Sequence, residues 1–352
     1  MYLSPFLSFK ESILMKLIKL KYLLIITPLV VTSLTTQLVA QNLASWRQPI
    51  EIPQPKDNLI TPQKVALGKI LFFDPRLSKS DKTSCASCHD PKLGWSDGKP
   101  IAIGDENKVG RRNSPTVVNS AYLRSFFHDA RASSLEEQAS GPIESEVEMN
   151  MPMDVLVKKL QAIEGYRELF KEAFGDEGIT KENIVKAIAS FERVLITPKA
   201  PFDKWVDGDE NAIDDEAKIG YSIFMNEGKC RSCHVGFNFT NEKMINIGLG
   251  DEKDLGMYEI AEKKSTIWYA TFKTPTLRNI EKTAPYFHNG SVETLYEAVK
   301  ICGNGGKKPV KSRSPFFRDR RLSDEEVSFV MAFLKTLTSP DIKVEIPTVF
   351  PQ

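Results

Sequence analysis

The chain has 352 residues, 41% hydrophobic and 26% charged, with a formal net charge of +1. That composition supports a buried core and excludes a disordered or fibrous chain. The near-neutral balance lacks the basic excess by which nucleic-acid binders hold phosphate.

The first 40 residues read as a secretory signal. Lys16, Lys19 and Lys21 precede the apolar run Tyr22-Leu23-Leu24-Ile25-Ile26-Thr27-Pro28-Leu29-Val30-Val31, and Leu38-Val39-Ala40 supplies small residues for cleavage. Either Met1 or Met15 is the start, Met15 standing directly before the basic region. An uncleaved membrane anchor is the competing reading, but the run is short and interrupted by Pro28. No cysteine stands at the cleavage site for a lipid anchor. Residues 1–40 carry four lysines and one glutamate, so the exported remainder has a net charge of −2. Export places the chain in the periplasm, where unmodified cysteines usually pair.

Thr61-Pro62 opens the first expected helix, with proline at the first helical position and Gly68 allowing close helix approach. Then comes Cys85-Ala86-Ser87-Cys88-His89, the first C-x-x-C-H. Residues 90–135 are rich in Gly, Pro and Asn, as expected of a loop wrapped round a cofactor. Residues 155–174 and 182–196 have helical character, and Thr197-Pro198-Lys199-Ala200-Pro201 marks a boundary. Ile219-Gly220-Tyr221 repeats the glycine-bearing helix, and Cys230-Arg231-Ser232-Cys233-His234 repeats the motif. A second loop-rich stretch spans 235–290. Ser323 and Glu326 form a capping box for a last helix, with Val327, Val330, Met331 and Leu334 as its buried stripe.

Two cysteines at this spacing form thioethers to the vinyl groups of one haem, and the next histidine supplies the proximal nitrogen. Zinc binding or a redox disulfide are the blander readings. Two copies that use four of the five cysteines favour two covalent haem c groups, held by Cys85, Cys88, Cys230 and Cys233 with His89 and His234 as axial ligands. The expected fold is mainly α: residues 1–40 a signal peptide, 41–198 and 199–352 two cytochrome c-like domains with long loops, each enclosing one haem.

Further segments carry a family resemblance: Phe73-Asp74-Pro75-Arg76-Leu77-Ser78, Arg112-Asn113-Ser114-Pro115-Thr116, Leu135-Glu136-Glu137-Gln138-Ala139, Phe191-Glu192-Arg193, Lys273-Thr274-Pro275-Thr276-Leu277-Arg278-Asn279 and Ala284-Pro285-Tyr286-Phe287-His288-Asn289-Gly290. From Thr61 to Pro340 the chain resembles the bacterial dihaem cytochrome c peroxidases, a family that includes the MauG-type enzymes. The resemblance implies that hydrogen peroxide reacts at the His89 haem. Electrons arrive at the His234 haem from a small donor such as a cytochrome c or cupredoxin. Glu148 and Gln138 match the distal pair, a carboxylate to move a proton and an amide to hold the peroxide. Asn113, Thr283 and Pro285 match a calcium site, for which an Asn that caps a turn is the plainer alternative. Members of the family are often homodimers.

The sequence departs from that pattern in three places. No histidine lies between Asp90 and Arg112, where many of these peroxidases carry one that plugs the peroxide site. His128 replaces the tryptophan found between the haems, and a neutral histidine is a poorer hole relay. Cys302 lies fourteen residues after His288, where the family has an axial methionine or, in MauG-type enzymes, a tyrosine. A thiolate there would lower the iron potential, with Met257 as the rival ligand and packing as the alternative to ligation. A MauG-like enzyme that oxidises a protein side chain is the first rival function, and a non-catalytic dihaem carrier the second.

Overall fold

The computed structural model describes residues 43–249, 253–307, 313–315 and 317–352. The signal segment at 1–40 lies outside them. Among the described residues the protein is mainly helical, with one short antiparallel pair, β1 (Met244–Ile245) and β2 (Phe272–Lys273). No helix there is long and apolar enough to cross a membrane. Residues 48–352 pack as one compact unit.

The first lobe is built on α1 (Pro62–Phe73), whose N-terminal N–H groups are capped by Thr61 Oγ1 accepting from Lys64 N at 3.3 Å. Next come α2 (Leu135–Glu144), α3 (Met153–Gln161), α4 (Glu164–Phe174) and α5 (Lys181–Arg193). Helix α2 lies outside the stretches expected to be helical, because Gly141 and Pro142 disguise its last turn. The expected helix over 155–174 is two helices broken at Ile163, which is extended. The break turns Leu156 and Leu160 of α3 and Tyr166 and Phe170 of α4 into one core.

The second lobe holds α6 (Pro201–Val206), α7 (Asp215–Met225), α8 (Met257–Ile260), α9 (Leu295–Gly303) and α10 (Asp324–Lys335). The capping box forms as expected: Ser323 Oγ accepts from Glu326 N at 3.2 Å, and Glu326 Oε2 accepts from Ser323 N at 2.8 Å. The buried stripe of α10 uses Phe333 where Met331 was expected. Phe333 sits among Phe202, Tyr221, Phe224 and Phe239, so the helix rotates its largest apolar side chain inward. The C-terminal tail returns to the first lobe, where Ile342, Val344 and Phe350 pack on the core and Arg76 Nη1 donates to Pro351 O at 2.9 Å.

One contact is common to both lobes. A Cβ on Gly68 would lie 1.9 Å from Ala187 O and 3.0 Å from the Phe191 Cβ. A Cβ on Gly220 would lie 1.8 Å from Phe329 O and 3.0 Å from the Phe333 Cβ. Helices α1 and α5, and α7 and α10, therefore cross backbone against backbone. Gly68→Ala and Gly220→Ala should each destabilise the holoprotein by about 1–3 kcal/mol or more through overpacking. Denaturant unfolding checks this; wild-type midpoints would refute the close crossing.

Candidate functional site

Each C-x-x-C-H begins as a short 3-10 turn, Cys85–Ser87 and Cys230–Ser232. His89 N donates to Cys85 O at 3.0 Å and His234 N to Cys230 O at 2.9 Å, which turns each histidine onto the cysteines' side. The rings are fixed in the same way. His89 Nδ1 lies 3.2 Å from Trp95 O, and His234 Nδ1 lies 2.9 Å from Phe239 O. Trp95 (φ 61°) and Phe239 (φ 50°) both adopt the left-handed region, a costly choice for bulky residues that aims the carbonyl at the imidazole. Burial lowers the His89 pKa and pushes that of His234 down to about 4, so both rings are neutral at pH 7. A neutral imidazole that donates from Nδ1 presents the Nε2 lone pair to a metal.

The cysteines and histidines of both motifs line one continuous cavity of about 900 Å³. All five cysteines are free, and burial pushes the thiols up, Cys88 to about 11 and Cys230 to about 12. A spacious cavity, two thiols at each mouth and an imidazole nitrogen held toward it fit a covalently attached haem in each lobe. Among the described residues no cluster of three or more His, Cys, Asp or Glu is arranged to hold a metal by itself.

Gln138, on α2, and Glu148, in the turn after it, line the cavity with His89. Glu148 is half-buried while Glu144 and Glu146 are exposed, so the three acidic residues are not equivalent. A loop holds it: a Cβ on Gly104 would fall 2.1 Å from Val147 O, and Asp105 N donates to Glu148 O at 2.6 Å. Burial raises the Glu148 carboxyl pKa, opposed by the charge of Arg131.

Asn113 lies between two histidines. Its carbonyl is 2.9 Å from His128 Nε2, its N–H donates to His288 O at 2.7 Å, and its side-chain amide donates to Lys99 O at 2.7 Å. Thr283 and Pro285 line the same cavity. Burial pushes His128 down to about 4, keeping it neutral. His288 stacks on Phe272, with centroids 3.6 Å apart and planes at 10°. Cys302 lines the cavity from α9, whereas Met257, the first residue of α8, is not part of the lining. Burial pushes the Cys302 thiol up to about 12, and the nearby Cys230 and Cys233 act in the same direction.

A repeat that motif reading missed relates these elements. Residues 113–142 correspond without a gap to 273–302, an offset of 160. Asn119 and Asn279 are both left-handed, as are Phe127 and Phe287. Bridges Phe126–Ala132 and Tyr286–Val292 correspond. Ser134 and Thr294 cap α2 and α9 through Glu137 N and Glu297 N. His128 therefore corresponds to His288, and Cys302 to Pro142, which also lines the cavity. The recurring Phe-His pairs and T-x-x-E/S-x-x-E caps were the available signal.

Comparison with known proteins agrees with this architecture. The family model described as "Di-haem cytochrome c peroxidase" matches residues 62–211. The methylamine utilization protein MauG of Methylorubrum extorquens is 42% identical over 305 residues, covering 86% of this chain and 86% of that protein. Cytochrome c551 peroxidase of Nitrosomonas europaea is 38% identical over 312 residues, covering 85% and 86%. A MauG-like protein associated with microbial copper homeostasis superposes with a TM-score of 0.76 at 28% identity, over 84% of this chain and 95% of that one.

Replacing Cys85 and Cys88 together by alanine should remove one covalent haem from the intact mass, and the pair Cys230 and Cys233 the other. A variant that kept both haem masses would refute attachment at the altered motif.

Proposed function

This chain belongs to the dihaem cytochrome c peroxidase and MauG family, and from that premise we propose that it is a periplasmic enzyme reducing hydrogen peroxide to water with electrons from a small donor protein. Residues 41–198 serve the peroxide site and 199–352 the entry of electrons, with the signal removed near Ala40. A haem held by Cys85, Cys88 and His89 would supply the iron chemistry for peroxide cleavage, and one held by Cys230, Cys233 and His234 would relay and store oxidising equivalents.

The observation that carries the reading is that Glu148, Gln138 and Pro142 line the cavity with His89. Pro142, the counterpart of Cys302 in the first lobe, has no side-chain donor atom and would supply no ligand to an iron held by His89. The Gln138 amide orients peroxide. Glu148 in its ionised form takes the proton from one peroxide oxygen and returns it to the other, leaving oxygen. Asn113 Oδ1 and the carbonyls of Thr283 and Pro285 hold a calcium ion that fixes the loops between the lobes.

Burial raises the Glu148 pKa, so the ionised form is gained as pH rises through that raised value. The rate of peroxide reaction should climb with pH above the ordinary carboxylate range. Glu148→Gln should lower that rate about 100-fold or more and flatten the climb. Stopped-flow mixing with peroxide measures both, and an unchanged rate in the variant would remove Glu148 from the chemistry.

A second reading keeps its place because of the 42% identity to MauG and the lack of a histidine between Asp90 and Arg112. In it the oxidising equivalents go to a side chain of a protein substrate. Rapid, saturable oxidation of reduced cytochrome c by peroxide supports the donor-linked enzyme, whereas negligible oxidation supports the MauG-like one.

Cys302 enters as the thiolate ligand of the second haem. Electron paramagnetic resonance of the ferric protein should show a narrow thiolate-type low-spin signal that vanishes in Cys302→Ala. If the signal persists in the variant, the thiol is only packing.

A further inference from the structure

Glu192 is a buried carboxyl to which the peroxide chemistry above assigns no part. It lies in the last turn of α5, is 4% exposed, and its Oε2 has no hydrogen-bond partner. With Ile188, one turn earlier on the same helix face, it lines the cavity beside Cys85 and Gln138. The charge of Arg193, the next residue, opposes the effect of burial but makes no hydrogen bond to the free Oε2. The Arg193 guanidinium is drawn away to Glu136 on α2, Nη2 to Oε2 at 2.7 Å, and Glu136 adds a like charge. The buried residues of α1 and α3 are Gly68 and apolar side chains; across the cavity Cys85, spent on the haem in this reading, feels the charges of both Glu192 and Glu148. Burial pushes the Glu192 carboxyl up to about 8.

The second lobe shows that packing alone needs no acid here. The close crossing pairs Gly68 with Phe191 and Gly220 with Phe333, so Ile188 corresponds to Val330 and Glu192 to Leu334. Val330 and Leu334 line the cavity at the matching places, and Leu334 is as buried as Glu192. One lobe therefore carries an apolar side chain where the other holds an orphaned acid.

We propose that Glu192 takes up a proton when the His89 haem takes up an electron, and so sets the pH dependence of that haem's potential. The inference rests on the reading that a haem is bound at His89. Ferric haem carries a net positive charge that favours a nearby carboxylate, and reduction removes it. One electron from the donor and one proton from water thus convert ferric haem plus carboxylate into ferrous haem plus carboxylic acid. The buried site ends the step with its charge unchanged, which makes electron entry easier at neutral pH than a carboxylate that stayed ionised would allow.

The test is a spectroelectrochemical titration of the two-haem protein over a series of pH values, following the His89 haem separately from the other. In the wild type its potential should fall with rising pH across the neutral to mildly alkaline range, with a slope approaching one proton per electron. Glu192→Gln should flatten that slope, and Glu192→Asp, which keeps an ionisable group, should retain one displaced in pH. The slope should survive in Glu148→Gln. A wild-type slope in Glu192→Gln, or flat lines in both wild type and Glu192→Asp with both haems attached, would overturn the proposal. If the Cys85/Cys88 double variant loses no haem, the reading on which it rests has failed instead.

Discussion

In each lobe a helix carbonyl stands where any side chain larger than glycine would place its Cβ. That exclusion, at Gly68 against Ala187 and at Gly220 against Phe329, lets two helices touch along their backbones. The aromatic rings beside the crossing follow from it. Phe72 meets Phe191 at 5.3 Å and Trp95 at 6.0 Å, and Phe224 meets Phe333 at 5.0 Å and Phe239 at 6.1 Å. Trp95 and Phe239 in turn carry the carbonyls that hold His89 and His234. The chain of causes runs from one missing side chain, through a fixed aromatic cluster, to the orientation of an imidazole nitrogen. Each imidazole is held by packing several residues away from it, the supporting arrangement that metal ligands need.

Features fixed by neighbours close in sequence could be read before the fold was known. The C-x-x-C-H spacing, the Thr61 cap and the Ser323/Glu326 capping box need only a turn of chain to take effect, and the structure contains them. What depended on distant partners could not be read. Met331 and Phe333 are both apolar, and only the aromatic cluster waiting for Phe333 decides between them. Helix α2 opens on the strong helix formers Leu135 to Ala139, and its packing against α5 overrides the weak propensity of Gly141 and Pro142. The 30-residue repeat was hidden because most of its residues change while the backbone is kept, as with left-handed Ala130 (φ 59°) and Gly290 (φ 56°).

The repeat matters because it turns differences into information. Two lobes built on the same helix crossing, hairpin and capped helix place the same positions around each half of the cavity. Where the residues agree, as at His128 and His288, the fold itself is a sufficient explanation. Where they differ, the fold tolerates either residue, and the difference is free to serve chemistry. Gln138 stands where the second lobe has Ala298, and Pro142 where it has Cys302. An amide with an unobstructed face suits a site that must admit a small oxidant. A thiol with no amide beside it suits an iron that exchanges only electrons.

Glu192 and Leu334 extend that contrast to charge. A thiolate from Cys302 would itself balance the ferric charge of a haem in the second lobe, so no acid is needed beside Leu334 for that purpose. An open iron, held by one neutral imidazole, changes the net charge of a buried site each time it gains an electron. With a carboxylate beside it, the reduced site would be left with a buried negative charge unless that group takes up a proton in step. Glu192 is a buried acid with one oxygen unsatisfied, and the adjacent Arg193 is salt-bridged to Glu136. The leucine at the matching place shows that shape alone would not have called for an acid there. The division of roles proposed for the two lobes would thus account for the acid in one and the hydrocarbon in the other.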